Sequence, residues 1–240
     1  MRIIFVRHGD PDYDNDTLTE KGWREAALLA ERVSGWNVTD FYVSPLGRAR
    51  DTASLSLEKM GRTAETLDWL REFHAPVDDP TRGEQVIPWD FYPEYWTNIP
   101  EMYDKDRFGN TEVMKSGQVM EEYVRISEEF DALLAKYGYV REGGLYRTDR
   151  TQSTARDAAI VLFCHMGVTL FLCSHLLGIS PVVLTGGFFL APTSVTVFAS
   201  EERRPGAAYF RCQTAGDTSH LKAGKEPVSE MGYFTKPFQG

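Results

Sequence analysis

From Ala158 to Ser200 the chain carries no Asp, Glu, Lys or Arg. A charge-free stretch of that length belongs either inside a domain or inside a bilayer. A membrane-spanning helix needs about 20 consecutive apolar residues. Here His165, Gly167, Ser174, His175 and the Ser180-Pro181 step interrupt the run, so the reading is a buried strand, helix and strand. Ile160 to Cys164 is a continuous apolar run, as expected of a strand covered on both faces. His165-Met166-Gly167 is its exit. Val168 to Leu177 is apolar on nearly every side, as expected of a helix buried all round. Ser194 to Phe198 supplies the second strand.

The same alternation runs through the rest of the chain. Arg2 to Val6 is short and rich in β-branched and aromatic residues, and reads as a buried strand ending at the Gly9-Asp10-Pro11 turn. Thr19 is placed to cap a helix on which Trp23, Ala26, Ala27, Ala30 and Val33 form one face, with Gly35 as its stop. Phe41-Tyr42-Val43 is the next strand. Ser44-Pro45 opens a helix that runs to Met60 and ends at Gly61. Ala64 to Leu67 is a third strand, and Ala208 to Arg211 a late one. On a helix over 118–137, Met120, Tyr123, Val124, Leu134 and Tyr137 share a face. The tail after Asp217 reads as irregular. Strands alternating with helices predict a three-layer α/β/α sandwich with a mostly parallel central sheet.

One segment breaks the pattern. From about 73 to 117, Pro76, Pro80, Pro88, Pro93 and Pro100 interrupt any long element, and Trp89, Phe91, Tyr92, Tyr95 and Trp96 cluster. It reads as a lid-like insertion in a single domain spanning 1–240. Its aromatics form either a lid core or a surface that stacks on a ring-bearing substrate. Exposed rings there would also suit a homodimer.

Charge and cysteine content narrow the partners. A net charge of −9 argues against a nucleic-acid surface, which needs clustered Lys and Arg. It leaves room for a phosphate site, which needs only a few local cations. Three cysteines without a CxxC pair suit reduced thiols in the cytoplasm, and the apolar run at the N-terminus is too short for a signal peptide.

In an α/β sheet, ligands bind beyond the carboxyl ends of the strands, and two predicted strand ends carry a histidine. At the first, Arg7-His8-Gly9 combines an imidazole that can attack phosphorus when neutral, a guanidinium that can fork onto phosphate oxygens, and a glycine that lets the backbone approach a ligand. At the second, His165 is either such a group or a core histidine. Arg48 falls in the first turn of the helix after Val43, where the helix N-terminus and the guanidinium favour the same anion; alone, it would read as a solvated surface residue. A metal site built from His8, Asp10, Asp12 and His165 would be chemically reasonable, but the chemistry below requires no metal or cofactor.

Arg7-His8-Gly9, Leu18-Thr19-Glu20-Lys21-Gly22, Ser44-Pro45-Leu46-Gly47-Arg48-Ala49 and His165-Met166-Gly167 occur in this order. Together they resemble the histidine phosphatase superfamily, in its phosphoglycerate mutase-like branch. The likeness covers 1–72 and 159–199 and is poor over the insertion and the tail. It implies His8 as nucleophile, with Arg7, Gly9, Arg48 and His165 around the phosphate. Leu70-Arg71-Glu72 matches the branch's Leu-x-Glu, which implies Glu72 as proton donor. Phe73-His74-Ala75-Pro76 departs from the family sequence that follows, so Asp10, Asp12 and Glu84 stay in reserve. Met166 stands where the acid-phosphatase branch has its Asp. The implied activity is metal-independent hydrolysis of a small phosphorylated metabolite. Two alternatives stay open. One is a mutase, since Gly83 to Val86 with Trp89 resembles the mutase insert but lacks its His-Tyr-Gly and paired arginines. The other is a non-catalytic scaffold.

Overall fold

The computed structural model describes residues 1–148 and 157–239. Its main sheet has eight strands: β1 (Arg2–Arg7), β2 (Asp40–Val43), β3 (Glu65–Thr66), β4 (Tyr139–Glu142), β5 (Leu145–Thr148), β6 (Ala159–Cys164), β7 (Val195–Arg204) and β8 (Ala207–Asp217), in the order β3-β2-β6-β1-β7-β8-β5-β4. The half from β3 to β1 is parallel, with Arg2 opposite Ala159 and Arg7 opposite Cys164. From β1 outward the pairing is antiparallel.

Period-two alternation along β1 builds the layers. Ile4 and Val6 join Phe41, Val43, Val161 and Phe163 against helices α1 (Glu20–Val33) and α2 (Gly47–Met60). Ile3 and Phe5 point the other way, with Ile160 and Leu162, toward α3 (Val119–Ala135) and α4 (Met166–Leu177). The result is an α/β/α sandwich, and its two central strands, β1 and β6, end side by side at Arg7 and Cys164. Each fully buried Leu, Phe or Ile contributes about 1.5–3 kcal/mol by leaving water, so these two strands, buried on both faces, are firmly fixed.

α4 is the helix read from the charge-free stretch. Nine of its twelve residues are buried. Among the described residues no helix is long and apolar enough to cross a membrane. The segment 73–117 carries a two-stranded ladder, Val77–Asp79 with Glu84–Val86, and short helical turns. Phe91, Met102 and Phe108 are buried in the α3–α4 layer, with Trp89, Tyr95 and Trp96 partly covered against it.

Several local expectations need correction. On α1 the buried face is Gly22, Glu25, Ala26, Leu29, Ala30 and Val33, whereas Trp23 and Ala27 are exposed; a small glycine and a buried carboxylate take the inner positions because a loop presses on them from β1. On α3 Val124 is exposed, and Ile126, Phe130 and Leu133 carry the core face. The late strands are a long hairpin, and Ser219–Gly224 adds a short helix, α5, to the tail.

Candidate active site

β1 delivers two neighbouring residues to the end of the sheet, and the next strand's approach holds them. Arg7 N–H donates to Ser194 C=O at 3.2 Å, and His8 C=O accepts from Thr193 N–H at 3.1 Å. His8 N–H donates to Cys164 C=O at 3.0 Å. Thr193 pays for this with a φ of 56°, a conformation that a β-branched residue rarely adopts. Its hydroxyl lies 3.1 Å from His220 Nε2. His220 Nδ1 lies 3.3 Å from an Arg32 nitrogen, which can only donate, so Nε2 carries the proton and donates to Thr193.

His8 is buried, and its Nδ1 lies 2.7 Å from Gly9 C=O. A carbonyl only accepts, so Nδ1 is the protonated nitrogen and Nε2 keeps its lone pair. Burial, then the charge of Arg7, then that of Arg48 push the His8 pKa well below its usual value. The ring is therefore neutral, as a nucleophile requires.

Gly9 sits where β1's exit crosses the first turn of α1. A Cβ at Gly9 would lie 2.9 Å from Gly22 O, and one at Gly22 only 2.2 Å from Asp10 O. Both positions thus need glycine. Gly9 N–H donates to Thr52 Oγ1 at 2.9 Å, and Asp10 N–H to the buried carboxylate of Glu25 at 2.9 Å.

Arg48 enters from the first turn of α2. It donates to Asp16 Oδ1 at 2.6 Å, while Asp16 Oδ2 accepts from Gly47 N–H at 2.7 Å. The Tyr13 ring covers its guanidinium at 5.3 Å. The Nε atoms of Arg48 and Arg7 are buried and have no hydrogen-bond partner among the described residues.

His165 caps α4 and is fully buried, its ring 5.1 Å from that of His8. Its Nε2 lies 2.7 Å from Ser44 Oγ, and Ser44 Oγ also accepts from Leu46 N–H at 3.2 Å. A serine hydroxyl has one proton to give, and among the described residues its acceptor is His165 Nε2, which leaves Nδ1–H as a donor. Nδ1 is buried with no partner among the described residues, so it has a proton to offer an anion. Burial, His8, Arg48 and Arg7 all push the His165 pKa well below normal.

Glu72 meets the same helix end. Its Oε1 accepts from Phe73 N–H at 2.8 Å and Val168 N–H at 2.9 Å, and Oε2 from Gly167 N–H at 3.2 Å. Burial raises its pKa, against those three hydrogen bonds and the charge of Arg7, which act to lower it. Trp89 from the insertion closes over this point: a Cβ on Gly167 would lie 2.4 Å from the Trp89 ring and 2.7 Å from Glu72 Oε1. Phe73 stacks on Phe171 at 3.8 Å, with Trp89 edge-on to both.

The fold thus gathers Arg7, His8, Gly9, Arg48, His165 and Glu72 at the carboxyl ends of β1 and β6. The reserve acids have other partners. Asp10 accepts from Thr19 at 2.7 Å and from Ser229. Asp12 accepts from Asn15 in a turn. Glu84 is exposed in the insertion's ladder. Sequence reasoning missed Asp16, Thr193, His220 and the role of Ser44; only Ser44 had a signal, its place in the motif that carries Arg48. Among the described residues no three His, Cys, Asp or Glu side chains converge as a metal site would need.

Known proteins carry the same pattern. The sequence model of the histidine phosphatase superfamily (branch 1) matches residues 3–213. A 2,3-bisphosphoglycerate-dependent phosphoglycerate mutase of Thermoplasma acidophilum is 36% identical over 83 residues, 30% of this chain and 42% of that protein. The probable phosphoglycerate mutase GpmB of Serratia proteamaculans is 33% identical over 97 residues, 37% of this chain and 45% of that protein. The chain thus spans less than half the length of these curated relatives. Among solved structures, a mycobacterial glucosyl-3-phosphoglycerate phosphatase superposes with a TM-score of 0.59 at 20% identity, covering 90% of this chain and 98% of that one. A phosphoserine phosphatase from Entamoeba histolytica gives 0.58 at 18%, covering 92% and 98%. At such identities the structural likeness speaks for the fold.

Proposed function

The chain belongs to the histidine phosphatase superfamily (branch 1), and from that premise we propose that it hydrolyses a small-molecule phosphate monoester through a phosphohistidine on His8. The observation that carries this is the committed tautomer of His8: Nδ1–H is tied to Gly9 C=O at 2.7 Å, in a buried ring flanked by two guanidiniums. Nε2 therefore points a free lone pair at the place where two arginines favour a phosphate.

His8 Nε2 attacks phosphorus in line, and the bond from phosphorus to the ester oxygen breaks. Arg7, Arg48 and the Nδ1–H of His165 hold the equatorial oxygens, which carry the transition-state charge. Glu72, whose proton affinity burial raises, gives its proton to the leaving oxygen. In the second half it takes a proton from the water that cleaves the phosphorus–nitrogen bond, which restores His8 and the acid. The segment 73–117, whose Trp89 covers Glu72, acts as a lid that keeps this proton exchange out of bulk water.

The test is phosphate release from para-nitrophenyl phosphate and a metabolite panel in EDTA, wild type beside His8→Ala, with acid-quench trapping of phosphohistidine. Release and trapping by the wild type and neither by the variant is the expected result. Release that survives in His8→Ala would sink the mechanism. A mutase is the second reading, favoured by the curated relatives named above; a coupled phosphoglycerate assay separates it, because a mutase returns the phosphoryl group to a hydroxyl and releases no phosphate.

A further inference from the structure

The phosphate pocket fills its cation positions before any leaving group is considered. Among the described residues, the cations whose charges reach both His8 and His165 are Arg7 and Arg48, and the transferred phosphate needs both. Lys21 and Arg24, on the nearby face of α1, are committed to Glu226 at 2.9 Å each. Arg82 of the insertion is committed to Asp79 at 2.8 Å and Asp90 at 3.1 Å. Asp16, on Arg48 at 2.6 Å, would repel a second anionic group.

What surrounds the arginines instead is aromatic. Tyr13 lies over Arg48 at 5.3 Å, and its phenol also acts on Arg7. Phe189 lies on Arg7 at 5.3 Å. Tyr233, from the tail, packs on Phe189 with ring centroids 3.8 Å apart. The tail is held there by defined contacts: Glu226 pairs with Lys21 and Arg24, and Ser229 donates to the buried Asp10 beside the nucleophile. Tyr13 remains 57% exposed and Phe189 is half-buried, so ring surface faces solvent beside the two arginines. A guanidinium stacked on a ring keeps edge N–H groups for a phosphate, here the Nε atoms of Arg7 and Arg48, which are unpaired among the described residues, while the outer side of the exposed Tyr13 ring stays available to a second flat group.

We infer that the substrate's leaving group carries a flat, uncharged ring, bound among Tyr13, Phe189 and Tyr233, rather than the carboxylate of a phosphoglycerate or phosphoserine. This rests on the phosphatase reading above and names the substrate class of the same site.

The experiment compares three phosphate esters of primary or secondary alcohols with similar leaving-group basicity: 2-phenylethyl phosphate, n-butyl phosphate and 3-phosphoglycerate. Each is assayed for kcat/KM with wild type, Tyr13→Ala and Phe189→Ala, alongside phosphohistidine trapping. The wild type is expected to prefer the phenylethyl ester over both others by about tenfold or more, and each variant to shrink the phenylethyl-to-butyl ratio by about fivefold to tenfold, mainly through KM. Circular dichroism and thermal melts show whether the variants are folded. Should either variant unfold, Tyr13→Leu and Phe189→Leu, which keep apolar bulk without a ring, give the same comparison. Hydrolysis with 3-phosphoglycerate preferred, or with ratios unchanged in the folded variants, overturns this inference and leaves the phosphatase reading standing. No hydrolysis of any ester and no phosphohistidine overturns both.

Discussion

Gly167→Ala adds one methyl group where three functional elements meet. The new Cβ would stand 2.4 Å from Trp89 and 2.7 Å from Glu72 Oε1, whereas ordinary contact begins at 3.4 Å. The ring must retreat by about 1 Å or the carboxylate must turn away from the α4 amides, and a displacement of that size at a catalytic group costs on the order of 100-fold in rate. Stability should respond far less. Alanine favours a helix over glycine by about 1 kcal/mol, which offsets part of the roughly 1–3 kcal/mol that overpacking costs. Net destabilisation is then at most about 2 kcal/mol, a melting-point drop of about 4–8 °C for a chain of this size. Steady-state kcat and thermal melts on the same preparation check this. Activity within about threefold of wild type would refute the idea that Glu72 works from this position; a rate loss matched by loss of folded protein would refute the packing argument.

Two further substitutions test the support around the site. Ser44→Ala leaves His165 Nε2 buried without its partner, a cost of about 1–3 kcal/mol; kcat/KM is expected to fall roughly ten- to hundredfold and Ser44→Thr to recover part of it, whereas an unchanged rate would mean that His165 needs no tautomer control. Burial raises the Glu25 carboxyl to about 7 in the folded chain, so its protonated form is favoured: the contribution is complete below the unfolded value near 4.5 and is lost as pH rises through 7. Glu25→Gln should therefore be the more stable protein at pH 8, by up to about 3 kcal/mol, and the gain should vanish by pH 4.5; urea denaturation at both pH values would refute this by showing the same difference at each.

The sequence told more about the strand ends than about what braces them. Apolar runs and a charge-free stretch sufficed for β1, β6 and α4, because strands and a helix covered on all sides leave no polar alternation to misread. His8 and His165 were then placed by the rule that ligands bind at strand ends. The braces are different in kind. Thr193 is held in its left-handed conformation by hydrogen bonds from residues far along the chain, and nothing in Pro192-Thr193-Ser194 announces a positive φ. Asp16 reaches Arg48 only because a tight turn brings it across α2. Trp23 was misassigned because periodicity assumes that the larger apolar residue turns inward; at this contact the Asp10 backbone comes so close that only Gly22 fits. The hairpin β4–β5 was hidden for a related reason: its strands are four residues each, and Val140 faces out at 56% exposure, so apolar and polar residues do not sort by face.

Glu72 occupies a position of opposed influences, and that opposition has a consequence for how the acid is loaded. Two amides at the start of α4 and the Phe73 amide favour the carboxylate, as does Arg7, while burial favours the neutral acid and prevails. Binding a phosphate dianion on Arg7 cancels the one favourable charge and adds negative charge nearby, so the proton affinity of Glu72 must rise when substrate arrives. On the proposed mechanism the acid is thus loaded by the substrate whose leaving oxygen it would protonate, and departure of the alcohol with its proton would leave a carboxylate to act as base. Free enzyme and complex should then titrate differently: the limb assigned to Glu72 lies at higher pH in the profile of kcat, which reports the complex, than in that of kcat/KM. Burst-resolved rates between pH 4 and 9 distinguish the first chemical half from the second. In Glu72→Gln this limb should disappear and the rate fall on the order of 10²–10⁴-fold. A limb that persists in that variant, or one at the same pH in both profiles, would remove Glu72 from the proton path and return the question to the acids around Asp10.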